Sequence, residues 1–142
     1  MGYCTEFEGS FRTNHPVDEE TYELLRGLAT TRRIRRRVDP KYGIDGEFYV
    51  KDDDEGIVDY NRPPITQPGL WCDWLIQEDR QTIEWDGSEE FCCYVDWLGY
   101  IIEAVLVPRG YTLNGTMWWR GAIFTDMGKI TVTDNEIMVE SL

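Results

Sequence analysis

Five of the chain's fourteen Lys and Arg residues are packed into six positions, Arg32-Arg33-Ile34-Arg35-Arg36-Arg37. Guanidinium forks bind oxyanions bidentately and also stack on aromatic rings, so such a run has the chemistry of a phosphate or carboxylate grip. The plainer reading is a solvated helix end complementing its own dipole, yet Arg without a single Lys is more than that needs. A second candidate stretch runs from Tyr60 to Trp74. Its prolines, Pro63, Pro64 and Pro68, bar both helix and central strand and leave a stiff, extended loop. Tyr60, Asn61, Arg62 and Gln67 offer polar contacts there, and Trp71 and Trp74 offer flat faces on which a base could stack. The alternative is that Trp71 or Trp74 fills the core while the prolines stiffen a crossing. Taken together, Arg32, Arg33, Arg35 and Arg36 with the loop residues outline a site for a nucleotide-like anion, with Arg33 or Arg35 beside Tyr60 and Trp71.

Other chemistry is thinly represented. His15 is the lone histidine, beside Pro16, with no Ser or Cys motif around it. There is no nucleophile elbow, no Gly-rich phosphate loop and no paired metal ligands, so a non-enzymatic protein without cofactor or metal is expected. Cys4, Cys72, Cys92 and Cys93 lack the spacing of a zinc site or a disulfide framework and read as reduced thiols. Cys92 and Cys93 fall in an expected helix, where neighbours point to different faces. The acidic run Asp52-Asp53-Asp54-Glu55 lacks the alternating ligands of an EF-hand loop and reads as a solvated loop.

Charge narrows the partners. Twenty-seven acids against fourteen Lys and Arg give a net charge of -13. Such a surface repels DNA and anionic membrane but favours a basic protein. The start, Met1-Gly2-Tyr3-Cys4-Thr5-Glu6, has neither a cationic segment nor an apolar one, so no signal peptide is expected and a cytoplasmic location is. No apolar run approaches the roughly 18 residues of a membrane span.

The elements that must position these residues follow from periodicity. Residues 3–13 alternate as a half-buried strand, with Tyr3, Thr5, Phe7, Gly9 and Phe11 on one side. Pro16 and Asp18-Glu19-Glu20 open a helix with the stripe Tyr22, Leu25, Leu28 and Ala29; the arginine run makes its last turn and Asp39-Pro40 stops it. Residues 40–69 are irregular, with a short strand possible at Phe48-Tyr49-Val50. Residues 70–77 and 82–85 read as strands. Asp86-Gly87-Ser88-Glu89 has the spacing of a capping box ahead of a second helix that ends at Gly110. The remainder reads as a meander with turns at Asn114-Gly115, Asp126-Met127-Gly128 and Asp134-Asn135. Adjacent Trp118 and Trp119 must point to opposite faces of their strand, so one of them is available to an interface and a homo-oligomer is plausible. The expected fold is a single α+β domain over residues 1–142, an antiparallel sheet of about six or seven strands with two helices packed on one face.

Several strings together resemble a family of small uncharacterised proteins of bacteria and their phages. They are Met1-Gly2-Tyr3 with Phe7-x-Gly9-x-Phe11, Thr31-Arg32-Arg33 with Arg35, Tyr60-Asn61-x-Pro63-Pro64, and Gln67-Pro68-Gly69-Leu70-Trp71-Cys72-x-Trp74. Glu84-Trp85-Asp86-Gly87, Trp97-Leu98-x-Tyr100, Gly110-Tyr111-x-Leu113-Asn114-Gly115 and Asp134-Asn135-Glu136 continue the likeness over most of the chain. The chain departs from that pattern at Asp73, where the pattern has Gln, and at Cys92-Cys93, where one position is Tyr. The resemblance implies a bacterial or phage cytoplasm and no particular activity. The leading expectation is therefore a binding protein that captures a nucleotide-like anion, such as a host immune signal. The alternative is an acidic inhibitor or nucleic-acid mimic that docks on a basic host protein.

Overall fold

The computed structural model describes residues 2–142, and its elements follow from local chemistry and from what each strand can pair with. Strand β1 (Thr5–Thr13) leads to helix α1 (Glu19–Thr30), which Asp18 caps by accepting from the Thr21 amide at 2.8 Å. The short strands β2 (Arg35–Arg36) and β3 (Ile57–Asp59) pair with each other. Strands β4 (Trp74–Ile76) and β5 (Thr82–Trp85) precede helix α2 (Tyr94–Tyr100), whose coil widens to a π-helical segment over Ile101–Leu106 and ends in a 3-10 turn over Val107–Arg109. Strands β6 (Leu113–Gly121), β7 (Met127–Thr133) and β8 (Glu136–Ser141) complete the chain. The main sheet has six antiparallel strands in the order β4-β5-β1-β6-β7-β8.

Register assigns the two faces of that sheet. Phe11 lies opposite Ile83 and Gly115, Gly9 opposite Met117, and Met117 opposite Ile130. Phe11, Ile83, Met117 and Ile130 point inward and form one buried cluster with Leu24, Leu25 and Leu28 of α1 and with Trp97, Leu98, Ile101, Val105 and Leu106 of the second helix. Both helices therefore cover the same face, as the periodicity predicts. The other face is bare. It presents Glu6, Glu8, Arg12, Glu84, Trp118, Arg120, Lys129, Glu136, Met138 and Glu140, alternating with the buried set. Trp118 is 46% exposed and Trp119 buried, so the adjacent pair does split across the sheet.

Four sequence expectations are corrected. Helix α1 stops at Thr30 rather than Arg37. The Thr31 amide and hydroxyl both donate to the Gly27 carbonyl, at 3.1 and 2.7 Å. The amides of Arg33, Arg35 and Arg37 then donate in turn to the carbonyls of Leu70, Arg62 and Gly56. An alternating ladder to the long loop thus takes the place of a last helical turn. Phe48-Tyr49-Val50 is no strand; it closes 3-10 turns over Pro40–Tyr42 and Ile44–Gly46. Asp86 does not cap α2, because its carboxylate accepts from the Ser88 amide at 2.8 Å and the helix begins only at Tyr94. Asn114-Gly115 is no hairpin turn but lies inside β6, paired with Arg12 and Phe11 of β1. The β6–β7 turn lies over residues 122–126, ahead of the expected Asp126-Met127-Gly128, of which Met127 and Gly128 already belong to β7. The turn at Asp134-Asn135 is where expected, both residues having positive φ. No helix among the described residues is long and apolar enough to cross a membrane.

Candidate functional site

The arginine run is spent largely on the protein itself. Arg33 is 1% exposed, and its guanidinium donates to Gln67 Oε1 (3.1 Å), Thr31 Oγ1 (2.7 Å) and the carbonyls of Glu47 (2.8 Å) and Tyr49 (3.1 Å). Burial brings the guanidinium down to about 10, so it remains charged at neutral pH. The network continues outward. Gln67 Nε2 donates to the Glu47 carbonyl (2.7 Å) and to the Tyr100 hydroxyl (3.2 Å), and that hydroxyl donates to Glu47 Oε1 at 2.7 Å. Arg36, also buried, donates to the carbonyls of Asp53 and Glu55, both at 2.7 Å, and lies 4.6 Å from the centre of the Tyr49 ring. Asp53 and Glu55 of the acidic run in turn accept from the Tyr49 hydroxyl at 2.8 and 3.0 Å. Arg35 pairs with Asp45 at 3.3 Å and Arg62 with Asp59 at 3.2 Å. These residues staple the 40–69 loop to the body of the fold.

The expected anion site is therefore corrected residue by residue. Arg33, Arg36 and Gln67 are interior and saturated. Trp74 is 1% exposed, donates its indole N–H to the Tyr94 carbonyl at 2.8 Å and packs edge-on against Phe7, Phe11 and Phe91. A different surface corner is brought together, with Arg32 in the place expected for Arg33 or Arg35. Arg32 stacks 4.7 Å from the Tyr60 ring centre and donates to the Tyr60 carbonyl (3.0 Å) and Asn61 Oδ1 (3.3 Å). Trp71 does not join that corner.

Trp71 instead forms the wall of a cleft of about 420 Å³, with Ala29, Asp73, Asp86, Ser88, Glu89 and Glu90. The indole is 47% exposed. Asp73 is only 6% exposed as a residue, and no protein donor or cation reaches its carboxylate, whose oxygens open on the solvent of the cleft rather than being sealed in the core. Burial, and then the negative charge of Asp86, push it up to about 6. It is held there because Cys72 and Trp74 on either side are locked into the core and because its own carbonyl accepts from the Asp86 amide at 3.0 Å. The cleft thus joins an exposed aromatic face to an unpartnered, partly desolvated carboxylate and a rim of three further acids. Chemically this suits a cation with an apolar or planar body, not an anion. No three His, Cys, Asp or Glu side chains among the described residues are grouped closely enough to hold a metal ion.

Sequence reasoning put weight on Trp71 but missed its acidic partners: Asp73 stood out only as a departure from the resembled pattern, Asp86 and Glu89 only as a helix cap, and Glu90 as one of 27 acids. The available signal was the alternation Cys72-Asp73-Trp74, a charged residue between two that face the core. His15 is exposed and lies against Tyr111 with ring centres 5.1 Å apart. The chain matches no protein-family model, and searches of the curated proteins and of the solved structures likewise return no match.

Proposed function

We propose that this is a non-enzymatic binding protein that docks on a basic protein partner, seating a guanidinium or ammonium group in the Trp71 cleft. The observation that carries this reading is Asp73. Partial desolvation and the neighbouring Asp86 make this carboxylate costly to ionise, and a cation entering the cleft would offset that cost. Trp71 adds a cation–π face, and Asp86, Glu89 and Glu90 add a negative rim that would draw a basic surface toward it. Capture of a nucleotide-like anion is less well supported. Of the arginines proposed to grip it, only Arg32 lies at the surface without a carboxylate partner, and Trp71 stands among acids that would repel a phosphate.

The test is calorimetric titration of the protein with a nona-arginine peptide, used as a stand-in for a basic protein segment. A charge-assisted hydrogen bond is worth roughly 1.5–3 kcal/mol, so Asp73→Asn should weaken binding by about 10- to 100-fold. Trp71→Ala should weaken it by a smaller factor, and Arg32→Ala should leave it unchanged or slightly tighter. Equal affinity of the wild type and Asp73→Asn would remove the cleft as the seat.

A further inference from the structure

Adjacent residues in a helix or a strand point their side chains apart, so two neighbouring cysteines ordinarily cannot meet. Cys92 and Cys93 do meet: their sulfurs are 2.9 Å apart. The backbone arranges this. Cys93 has φ 64° in the left-handed region, immediately before α2, and Glu90 three residues earlier has φ 60°. Left-handed backbone at a non-glycine residue costs on the order of 1 kcal/mol and persists only where the surroundings impose it. Here Phe91 is buried in the aromatic cluster beside Trp74, and the Cys93 carbonyl accepts the Trp97 amide at 2.9 Å, which fixes both ends of the pair. The sulfurs are accessible. Cys92 is exposed, Cys93 partly so, and both line a hollow of about 500 Å³ with Tyr3, Thr5, Glu90 and Asp126.

From this geometry we infer that Cys92 and Cys93 form a vicinal dithiol that closes reversibly into a disulfide when it meets a low-molecular-weight disulfide, making this turn a redox modification site. The chemistry balances without any further reactant. The Cys92 thiolate attacks one sulfur of the small disulfide and expels one thiolate, leaving a mixed disulfide on Cys92. The Cys93 sulfur then attacks the Cys92 sulfur, loses its proton and expels the second thiolate. The protein loses two hydrogens and the small disulfide becomes two thiols. The contact with Cys92 pushes the Cys93 thiol up to about 11, consistent with Cys92 being the sulfur that attacks first. Neighbouring Cα atoms are about 3.8 Å apart, below the 4.4–6.8 Å usual for a disulfide, so the ring is strained and readily reduced. A bond of that kind belongs to the labile, regulatory class rather than the structural one.

Intact-mass and peptide-mapping measurements on the full chain, reduced and then exposed to glutathione disulfide, test this. The Cys4→Ser background is used because Cys4 is also exposed. The expected product lacks two hydrogens, carries no glutathione, maps to the peptide holding residues 92 and 93, and reverts with dithiothreitol. In Cys93→Ser the reaction should stop at a stable glutathione adduct on Cys92. Because Cys92 lies at the surface and Cys93 is only partly buried, the serine variants should fold, and circular dichroism verifies it. A glutathione adduct that persists on Cys92 in the presence of Cys93, or no reaction at either thiol, would overturn the inference.

Discussion

Asp73 and Arg33 are the two buried charges on which the reading of this protein turns, and they differ in what satisfies them. Arg33 has four protein acceptors within hydrogen-bonding distance; Asp73 has no donor. Replacing Arg33 by Ala would leave Gln67 Oε1, Thr31 Oγ1 and the Tyr49 carbonyl without their donor and take one of two donors from the Glu47 carbonyl. The loss should cost about 3 kcal/mol or more in denaturant unfolding. Arg33→Lys keeps the charge but not the planar fork, and should recover only part of that loss. A neutral Arg33→Ala would mean that the guanidinium is not structural and would return it to the list of ligand groups. For Asp73 the sign is opposite. Its carboxyl sits at about 6 in the fold, above the ordinary value of 3.8, so the folded state holds a proton that the unfolded state releases between those values. This contribution to stability is fully present below about pH 4 and fades as pH rises through 6. At pH 7.5 the ionised carboxylate is a burden, and Asp73→Asn should therefore stabilise the protein by on the order of 1 kcal/mol, solvent in the open cleft moderating the effect. The gain should vanish near pH 4, where both side chains are neutral. Thermal unfolding of the two proteins at pH 4.5 and 7.5 measures the difference, and an Asp73→Asn protein less stable at pH 7.5 would show that the carboxylate has a partner. Stability and cation binding would thus pull in opposite directions at one residue, which is the pattern expected of a binding group.

At the scale of elements, non-local pairing overrode several local signals. Asn-Gly is a strong hairpin signal, yet Gly115 lies within β6 opposite Phe11, with φ 148°. A Cβ on Gly115 would run into the backbone of Ser10 and Phe11 on β1, so glycine is there for the close approach of two nine-residue strands, not for a turn. Gly115→Ala should therefore cost about 3 kcal/mol or more, seen as a large fall in melting temperature, whereas alanine at a true turn would be milder. Gly87, whose Cβ would meet nothing within 4 Å, is the comparison: its φ of 87° makes Gly87→Ala strained but free of any clash, and the smaller effect is expected there. The elements readable from the chain were those with a long period. The alternation of β1, the stripe of α1 and the wide stripe of α2 stand, as does the α+β class, and the C-terminal meander stands with one strand and one turn fewer than its sequence suggests. What could not be read were choices made by partners far away in sequence. The amides of Arg33, Arg35 and Arg37 pair with residues 19 to 37 positions later in the chain, and no local pattern announces that they leave the helix. The same cause hid the site. Trp71 was visible as a residue type, but the cleft exists only because β4 and the turn after β5 bring Asp73 and Asp86 together, and a list of 27 acids does not say which two meet.

For the whole molecule, the internal use of arginine changes what the net charge of -13 means. Arg33 and Arg36 are buried and Arg35 is paired with Asp45, so much of the arginine run serves the interior rather than the surface. The bare sheet face is no simple acidic surface. Its glutamates are interleaved with Arg12, Arg120 and Lys129; Lys129 pairs with Glu140 at 3.3 Å and places its ammonium 5.5 Å from the Trp118 ring centre. A nucleic-acid mimic needs one contiguous run of negative charge, and this face does not provide it. The cleft is where acids gather without intervening cations. Association with a basic partner should therefore combine long-range attraction with short-range seating, and the two separate in kinetics. Surface-plasmon measurements with nona-arginine should show the association rate falling by more than about tenfold from low salt to about 1 M, where the Debye length is near 3 Å. Dissociation should respond far less to salt, because the groups that hold the cation lie in close contact. Reversing the rim with Glu89→Lys and Glu90→Lys should slow association, while Trp71→Ala should speed dissociation and leave the association rate nearly unchanged. A salt-independent association rate would show that the overall charge does not steer the encounter. Binding would then rest on the Trp71 and Asp73 contact alone, and charge would serve only to keep the molecule soluble.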